Sequence, residues 1–186
     1  VLAVVRDGSF LGVVAEREAA AVRAMEALKD AAVWETDPDF PSYDALFEHL
    51  LSQPDQPSLV VDGRPVADPI PPLTEPDGAA RTLTATYERP YHMHASLGPS
   101  AAVARWDEDG LTVWSHSQGP YPLRRELAHV LEMPAERIRS IHMEGPGCYG
   151  HNGADDAALD AVLLARAVVG KPVSLQWMRE DEHTWE

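Results

Sequence analysis

The sequence predicts an α+β fold of mixed sheets, with β-hairpins and packed helices. Three observations carry that expectation. Two β-rich pairs of segments flank the turn signals Asp7-Gly8 and Asp107-Glu108-Asp109-Gly110. Helical spacing of apolar residues runs through residues 16–34 and 154–169. Strand and helix signals interleave along the chain, yet the hairpins exclude a purely parallel sheet.

In order, residues 1–15 read as two strands around Asp7-Gly8. Residues 16–34 read as a helix, with Ala19, Val22, Met25, Ala27, Leu28 and Ala32 as a stripe expected to face the core. Residues 35–80 change character: they hold nine of the chain's 16 prolines, ten acids and one base, Arg64. They read as an acidic, proline-rich, solvated connector, interrupted by a short helix over 43–51. The proline run over 65–76 predicts neither ladder nor helix. From Arg81 onward the pattern tightens. A strand is expected over 82–87, a hairpin over 101–106 and 111–116, a helix over 122–131 and a turn over 134–137. A strand over 138–143, a glycine-rich loop over 145–153, a helix over 154–169 and a last strand over 173–178 complete the order. Gly170 and Pro172 end the long helix.

Composition narrows the function classes. The chain has 186 residues, 30 acidic and 15 basic side chains, and a net charge of −15. That balance argues against nucleic acid as a partner, which needs a basic face, and against anionic lipid. Apolar residues make up 45 % of the chain, enough for a core. No apolar run reaches the ~20 residues of a membrane span. A single cysteine, Cys148, rules out an internal disulfide framework. The chain opens on Val1 and closes on residues 180–186 without a turn or tail signal, so it is expected to be a piece of a longer polypeptide.

Several residues suggest chemistry. His92 and His94 stand two apart, and His116 lies on another candidate strand. No carboxylate or thiolate at ligand spacing joins them, so no metal site is expected from protein ligands, and structural histidines are the reading. The loop Gly145-Pro146-Gly147-Cys148-Tyr149-Gly150-His151-Asn152-Gly153 follows a strand and precedes a helix, where backbone N–H groups can approach an anion. It lacks the Gly-Lys-Ser/Thr of a phosphate loop, and Asp155 and Asp156 occupy the helix start. Residues alone leave ligand loop and structural turn equally open. Ser115-His116-Ser117-Gln118-Gly119-Pro120 ends a strand and enters a helix, with the Gln118 amide at the strand terminus. A serine–histidine nucleophile is disfavoured because adjacent strand residues face opposite ways. Cys148 is expected to be a packed thiol rather than a nucleophile.

The ordered set Tyr87-Glu88-Arg89-Pro90, His94-Ala95-Ser96, Trp114-Ser115-His116-Ser117-Gln118-Gly119-Pro120, Met133-Pro134-Ala135-Glu136-Arg137-Ile138, Gly147-Cys148-Tyr149-Gly150, Gly170-Lys171-Pro172-Val173 and Arg179-Glu180-Asp181-Glu182 resembles the molybdopterin-binding large subunits of the xanthine dehydrogenase and aldehyde oxidase family. It is most similar to the bacterial branch of isoquinoline oxidoreductase and nicotinate dehydrogenase large subunits. The resemblance covers residues 81–186. Residues 1–35 resemble the tail of a preceding α/β hammerhead domain, with 36–80 as the connector. The resemblance implies a part of an oxidoreductase that hydroxylates an N-heterocycle or oxidises an aldehyde, a small-molecule substrate in either case. It implies molybdenum–molybdopterin, in the cytosine dinucleotide form, and 2Fe-2S clusters on a small iron–sulfur subunit or further domain. Some relatives in this branch feed a membrane cytochrome subunit.

Residue by residue, Gln118 matches the glutamine that hydrogen-bonds the apical oxo ligand, a catalytic and cofactor-binding role. Gly147, Cys148, Tyr149 and Gly150 match the cofactor-side loop, and Tyr149 would also line the substrate cleft. The usual Gly-Gly-Gly-Phe-Gly-Gly-Lys reads Gly-Pro-Gly-Cys-Tyr-Gly-His here. Gly153 stands where purine-oxidising members place a glutamate, which speaks against xanthine as substrate. The family's general-base glutamate lies in a far C-terminal part, so Glu180 and Glu182 do not match it. The chain alone is therefore expected to bind no cofactor and to turn nothing over. The rival reading is a stand-alone acidic α+β binding or scaffold module without catalysis.

Overall fold

The structure, a computed structural model, describes residues 1–35, 41–150 and 153–185. Its contacts form two compact units, Val1–Val33 with Tyr91–Glu186, and Trp34–Pro90.

The larger unit is built on a four-stranded sheet of order β7 (Ile138–His142), β6 (Gly110–Ser115), β5 (Ala101–Asp107), β8 (Val173–Gln176). Strands β5 and β6 form the expected hairpin. β7 runs parallel to β6, and β8 runs antiparallel to β5. The register places Ala104 between Val113 and Val173, and Leu111 beside Ile138, all buried. Alternate positions therefore line one face. Helix α4 (Ala154–Ala165) covers that face. Its Ala154, Ala157, Ala158, Ala161 and Ala165 are fully buried and recur at helical spacing. Small side chains let the helix approach the strands closely. Helix α3 (Pro120–Val130) starts two residues earlier than expected, with proline in its first turn, and packs on β7 through Leu123 and Leu127. Strands β1 (Ala3–Asp7) and β2 (Phe10–Val14) pair antiparallel, and Val14 joins the core. Gly12 lies so close to Leu164 that a Cβ there would sit 2.6 Å from its methyl.

Helix α1 (Glu18–Ala31) has no buried residue. The expectation that its stripe is core is corrected: Val22, Met25 and Leu28 are only half covered, and Ala19 and Ala27 are exposed. Among the described elements of its unit, α1 packs mainly against β2. The strand expected over 82–87 does not form either. Residues 81–90 are exposed throughout and pair with no strand; alternation makes a strand only where a neighbour supplies the ladder.

The unit Trp34–Pro90 holds a 3₁₀ turn, Tyr43–Ala45, helix α2 (Leu46–Ser52) and a hairpin of β3 (Leu59–Val61) with β4 (Arg64–Val66). The hairpin departs from the sequence expectation of no ladder at Pro65. Asp62 and Gly63 both take positive φ, 50° and +74°, as a two-residue turn requires. Pro65 is tolerated because a two-stranded ribbon leaves one edge of each strand unpaired. None of the described residues of this unit is buried. Among the described residues, no helix is long and apolar enough to cross a membrane.

Candidate functional site

β6 and β7 run parallel and side by side, so the segments that follow them leave the same end of the sheet. After β6 comes the turn bearing Gln118; after β7 comes the glycine-rich loop. β5 begins and β8 ends there too, since Ala101 pairs with Gln176. The carboxyl ends of adjacent parallel strands are where open α/β sheets place ligands.

The turn is built by two serines. The Ser117 N–H donates to Ser115 Oγ (3.1 Å) and the Gly119 N–H to Ser117 Oγ (3.0 Å). Each hydroxyl thus accepts from the residue two ahead, the local turn that serine favours. His142 Nδ1 donates to the Ser117 carbonyl (3.1 Å). Ser115 and Ser117 are 2 % and 1 % exposed, whereas Gln118 between turn and helix is exposed. Its amide Nε2 donates to Cys148 Sγ, and Cys148 Sγ in turn donates to the Gly150 carbonyl (3.4 Å). The structure therefore brings together two residues singled out separately, 30 positions apart.

Gly147 and Gly150 have φ of +136° and +148°, a region that disfavours any side chain. A Cβ on Gly150 would strike the His94 ring, and one on Gly147 would lie 2.7 Å from the Tyr149 ring. Tyr149 is 61 % exposed. Cys148 is exposed, which corrects the expectation of a packed thiol. It sits in irregular chain. His151 and Asn152 lie outside the described residues. His92 and His94 lie in irregular chain, not on a strand, and among the described residues no three His, Cys, Asp or Glu side chains gather as a metal ligand set.

The loop rests on residues 94–98. Ser96 Oγ donates to the Gly147 carbonyl (3.4 Å) and the Leu97 N–H to the Pro146 carbonyl (3.3 Å). Close by in the chain, Ser100 is held by Glu182 on helix α5 (Arg179–Trp185). Glu182 is 1 % exposed and accepts from the Ser100 N–H and Oγ–H, both at 2.7 Å. No turn or periodicity signal in residues 179–185 announces that buried carboxylate.

His116 faces the other way along the strand end. Its Nε2 accepts from the Ala101 N–H (3.2 Å), and Gly145 packs on its ring. Burial lowers its pKa below the usual 6.5, outweighing the attraction of Glu182 and Asp155, and His142 adds a small push in the same direction. The unfolded chain then takes up the proton at higher pH than the folded one. Stability is full above the unfolded value and declines as pH falls below about 6.5. We expect the His116→Gln variant to lose part of that acid decline. Urea midpoints of both proteins at about pH 7.5 and about pH 5.5 check it; equal declines would contradict it.

Fold and geometry define an α+β module that presents an exposed amide and a glycine-lined loop at one end of its sheet. The model of the molybdopterin cofactor-binding domain family matches residues 75–185, and the chain belongs to that family. Across 100 % of its length the chain is 41 % identical to a nicotinate dehydrogenase subunit of Pseudomonas putida, covering 15 % of that protein. It is 37 % identical over 102 residues to the aldehyde oxidoreductase molybdenum-binding subunit of Escherichia coli, covering 54 % of this chain and 14 % of that one. The chain thus spans about one seventh of these relatives. The crystal structure of quinoline 2-oxidoreductase from Pseudomonas putida 86 aligns with 48 % of this chain and 12 % of that chain, at 23 % identity and a TM-score of 0.43.

Proposed function

We propose that the chain is the part of a molybdenum hydroxylase large subunit that faces the metal end of the molybdopterin cofactor. One observation carries this reading: the Gln118 amide and the 147–150 loop meet beyond the carboxyl ends of β6 and β7. The residues present fit such a group. The amide donates to a thiol sulfur, a weak acceptor, and is exposed, so a stronger acceptor competes well for it. Gly147 and Gly150 offer backbone without side chains. The phosphate end does not fit the start of α4, where Asp155 and Asp156 fill the first turn.

On this reading Gln118 donates to an oxygen ligand of the cofactor and holds it in one orientation. The backbone of Gly147, Cys148 and Gly150 borders the cofactor, and Tyr149 lines the cleft for a small N-heterocycle or aldehyde. The cofactor, in its cytosine dinucleotide form, supplies the two-electron oxidation when bound. A small iron–sulfur subunit with 2Fe-2S clusters would be the partner that takes up the electrons, and a membrane cytochrome subunit would be a further partner. The general base comes from elsewhere in the polypeptide, since Glu182 is committed to Ser100. Residues 1–35 complete a preceding domain, 36–80 connect, and 81–186 begin the cofactor-binding domain.

In the molybdenum-loaded full-length enzyme, Gln118→Ala is expected to lower kcat about 10- to 100-fold, the worth of one hydrogen bond to a charged group, about 1.5–3 kcal/mol. Molybdenum content and thermal midpoint stay as in the parent. An unchanged kcat at full molybdenum content would reject this role for Gln118.

A further inference from the structure

Ser115 is the last residue of β6, and its backbone is held by the sheet. It pairs across to Ala102 and to His142, and its carbonyl accepts from the Met143 N–H (2.9 Å). Its hydroxyl is free of that ladder and reaches two other segments. It accepts from the Ser117 N–H in the Gln118 turn (3.1 Å) and donates to the Ala154 carbonyl (3.2 Å), at the first residue of α4. Ala154 lies just beyond the glycine-rich loop and is fully buried. One side chain, 2 % exposed, therefore ties the two halves of the candidate site to the same strand end. A hydroxyl is suited to this because it donates and accepts at once in a very small volume.

We propose that Ser115 is a positioning residue: its hydroxyl fixes the Gln118 turn relative to the loop that carries Cys148, so that Gln118 is presented in one orientation. The functional consequence rests on the reading of Gln118 given above; the positioning does not. Without the hydroxyl, the Ser117 N–H loses its acceptor and the link to Ala154 is gone. The turn keeps the Gly119-to-Ser117 bond and the His142 contact, so it loosens rather than unravels. The sheet pairing of Ser115 itself needs no hydroxyl.

The test compares the cofactor-free full-length polypeptide, isotope-labelled over this segment alone, with its Ser115→Ala and Ser115→Thr variants by NMR. In the parent chain and Ser115→Thr, nuclear Overhauser contacts join the Gln118 side-chain amide to Cys148 Hβ. In Ser115→Ala they vanish, and the Gln118 backbone order parameter drops from about 0.85 toward about 0.6, while β5 and β8 amides keep their shifts. Gln118 staying ordered in Ser115→Ala, or losing order equally in Ser115→Thr, overturns the proposal. Should Ser115→Ala unfold, the same comparison is read on Ser115→Thr against Ser115→Val, which match in size and differ in the hydroxyl. In the molybdenum-loaded enzyme Ser115→Ala lowers kcat about 10- to 100-fold at full metal content, as small misplacements do. Loss of order with kcat unchanged leaves the positioning role standing and removes the cofactor-facing role of Gln118.

Discussion

Glu182→Ala is expected to destabilise the chain by about 3–6 kcal/mol, from two lost bonds to a charged group at about 1.5–3 kcal/mol each. Both Glu182 oxygens are used, one by the Ser100 N–H and one by its hydroxyl, in a site 1 % exposed to water. Ser100 is itself 1 % exposed, so its N–H and O–H have no water to turn to when the carboxylate is removed. The side chain that leaves also vacates volume that the rest of the unit does not readily refill. Glu182→Gln keeps one acceptor oxygen and is expected to fall between. Urea midpoints of the three proteins measure this. A Glu182→Ala chain within about 1 kcal/mol of the parent would show that Glu182 is not an anchor.

Gly110→Ala is expected to destabilise by about 3 kcal/mol. The glycine has a φ of +154°, where a Cβ adds about 1–3 kcal/mol of backbone strain. That Cβ would also run into the Arg137 carbonyl oxygen, which is backbone and cannot rotate away. Overpacking of this kind adds about 1–3 kcal/mol. The site is structurally sensitive because Gly110 closes the β5–β6 turn just before Leu111 pairs with Ile138 across the parallel junction. Thermal unfolding of Gly110→Ala checks it, with Gly8→Ala as the control, since a Cβ there meets nothing within 4 Å. Gly8 also has positive φ, +57°, but in the left-handed helical region that other residues enter at lower cost, so it measures a turn glycine with neither the clash nor the glycine-only dihedral. Equal losses at both glycines would contradict the packing argument.

Local signals carried much of this fold. The Asp7-Gly8 and Asp107-Gly110 turns, the alternation along β5 and β6, and the alanine spacing of α4 each follow from chemistry within a dozen residues, and each element forms. What stayed hidden depends on neighbours distant in the chain. The alternation over 82–87 looks like a strand, but no partner pairs with it. Asp62-Gly63 is as good a turn signal as Asp7-Gly8, and Pro65 disguises it, because whether a proline spoils a ladder depends on which edge it occupies. The α1 stripe has helical spacing whether or not anything covers it. Gln118 and Cys148 are each visible in their own motif, yet their meeting depends on β6 lying parallel to β7, which no local pattern encodes. The Ser-x-Ser-x-Gly spacing at 115–119 holds the turn in plain view. Its signal is the two-residue offset at which a serine oxygen accepts a backbone N–H.

That the Gln118 turn and the 147–150 loop face the cofactor is tested most directly by a crystal structure of the molybdenum-loaded full-length enzyme. The decisive quantity is the distance from Gln118 Nε2 to the nearest cofactor oxygen. It is expected to be about 2.7–3.2 Å, the amide having left the Cys148 sulfur, with the backbone of Gly147 and Gly150 against the cofactor. A cofactor bound elsewhere, with Gln118 still donating to Cys148, would contradict it.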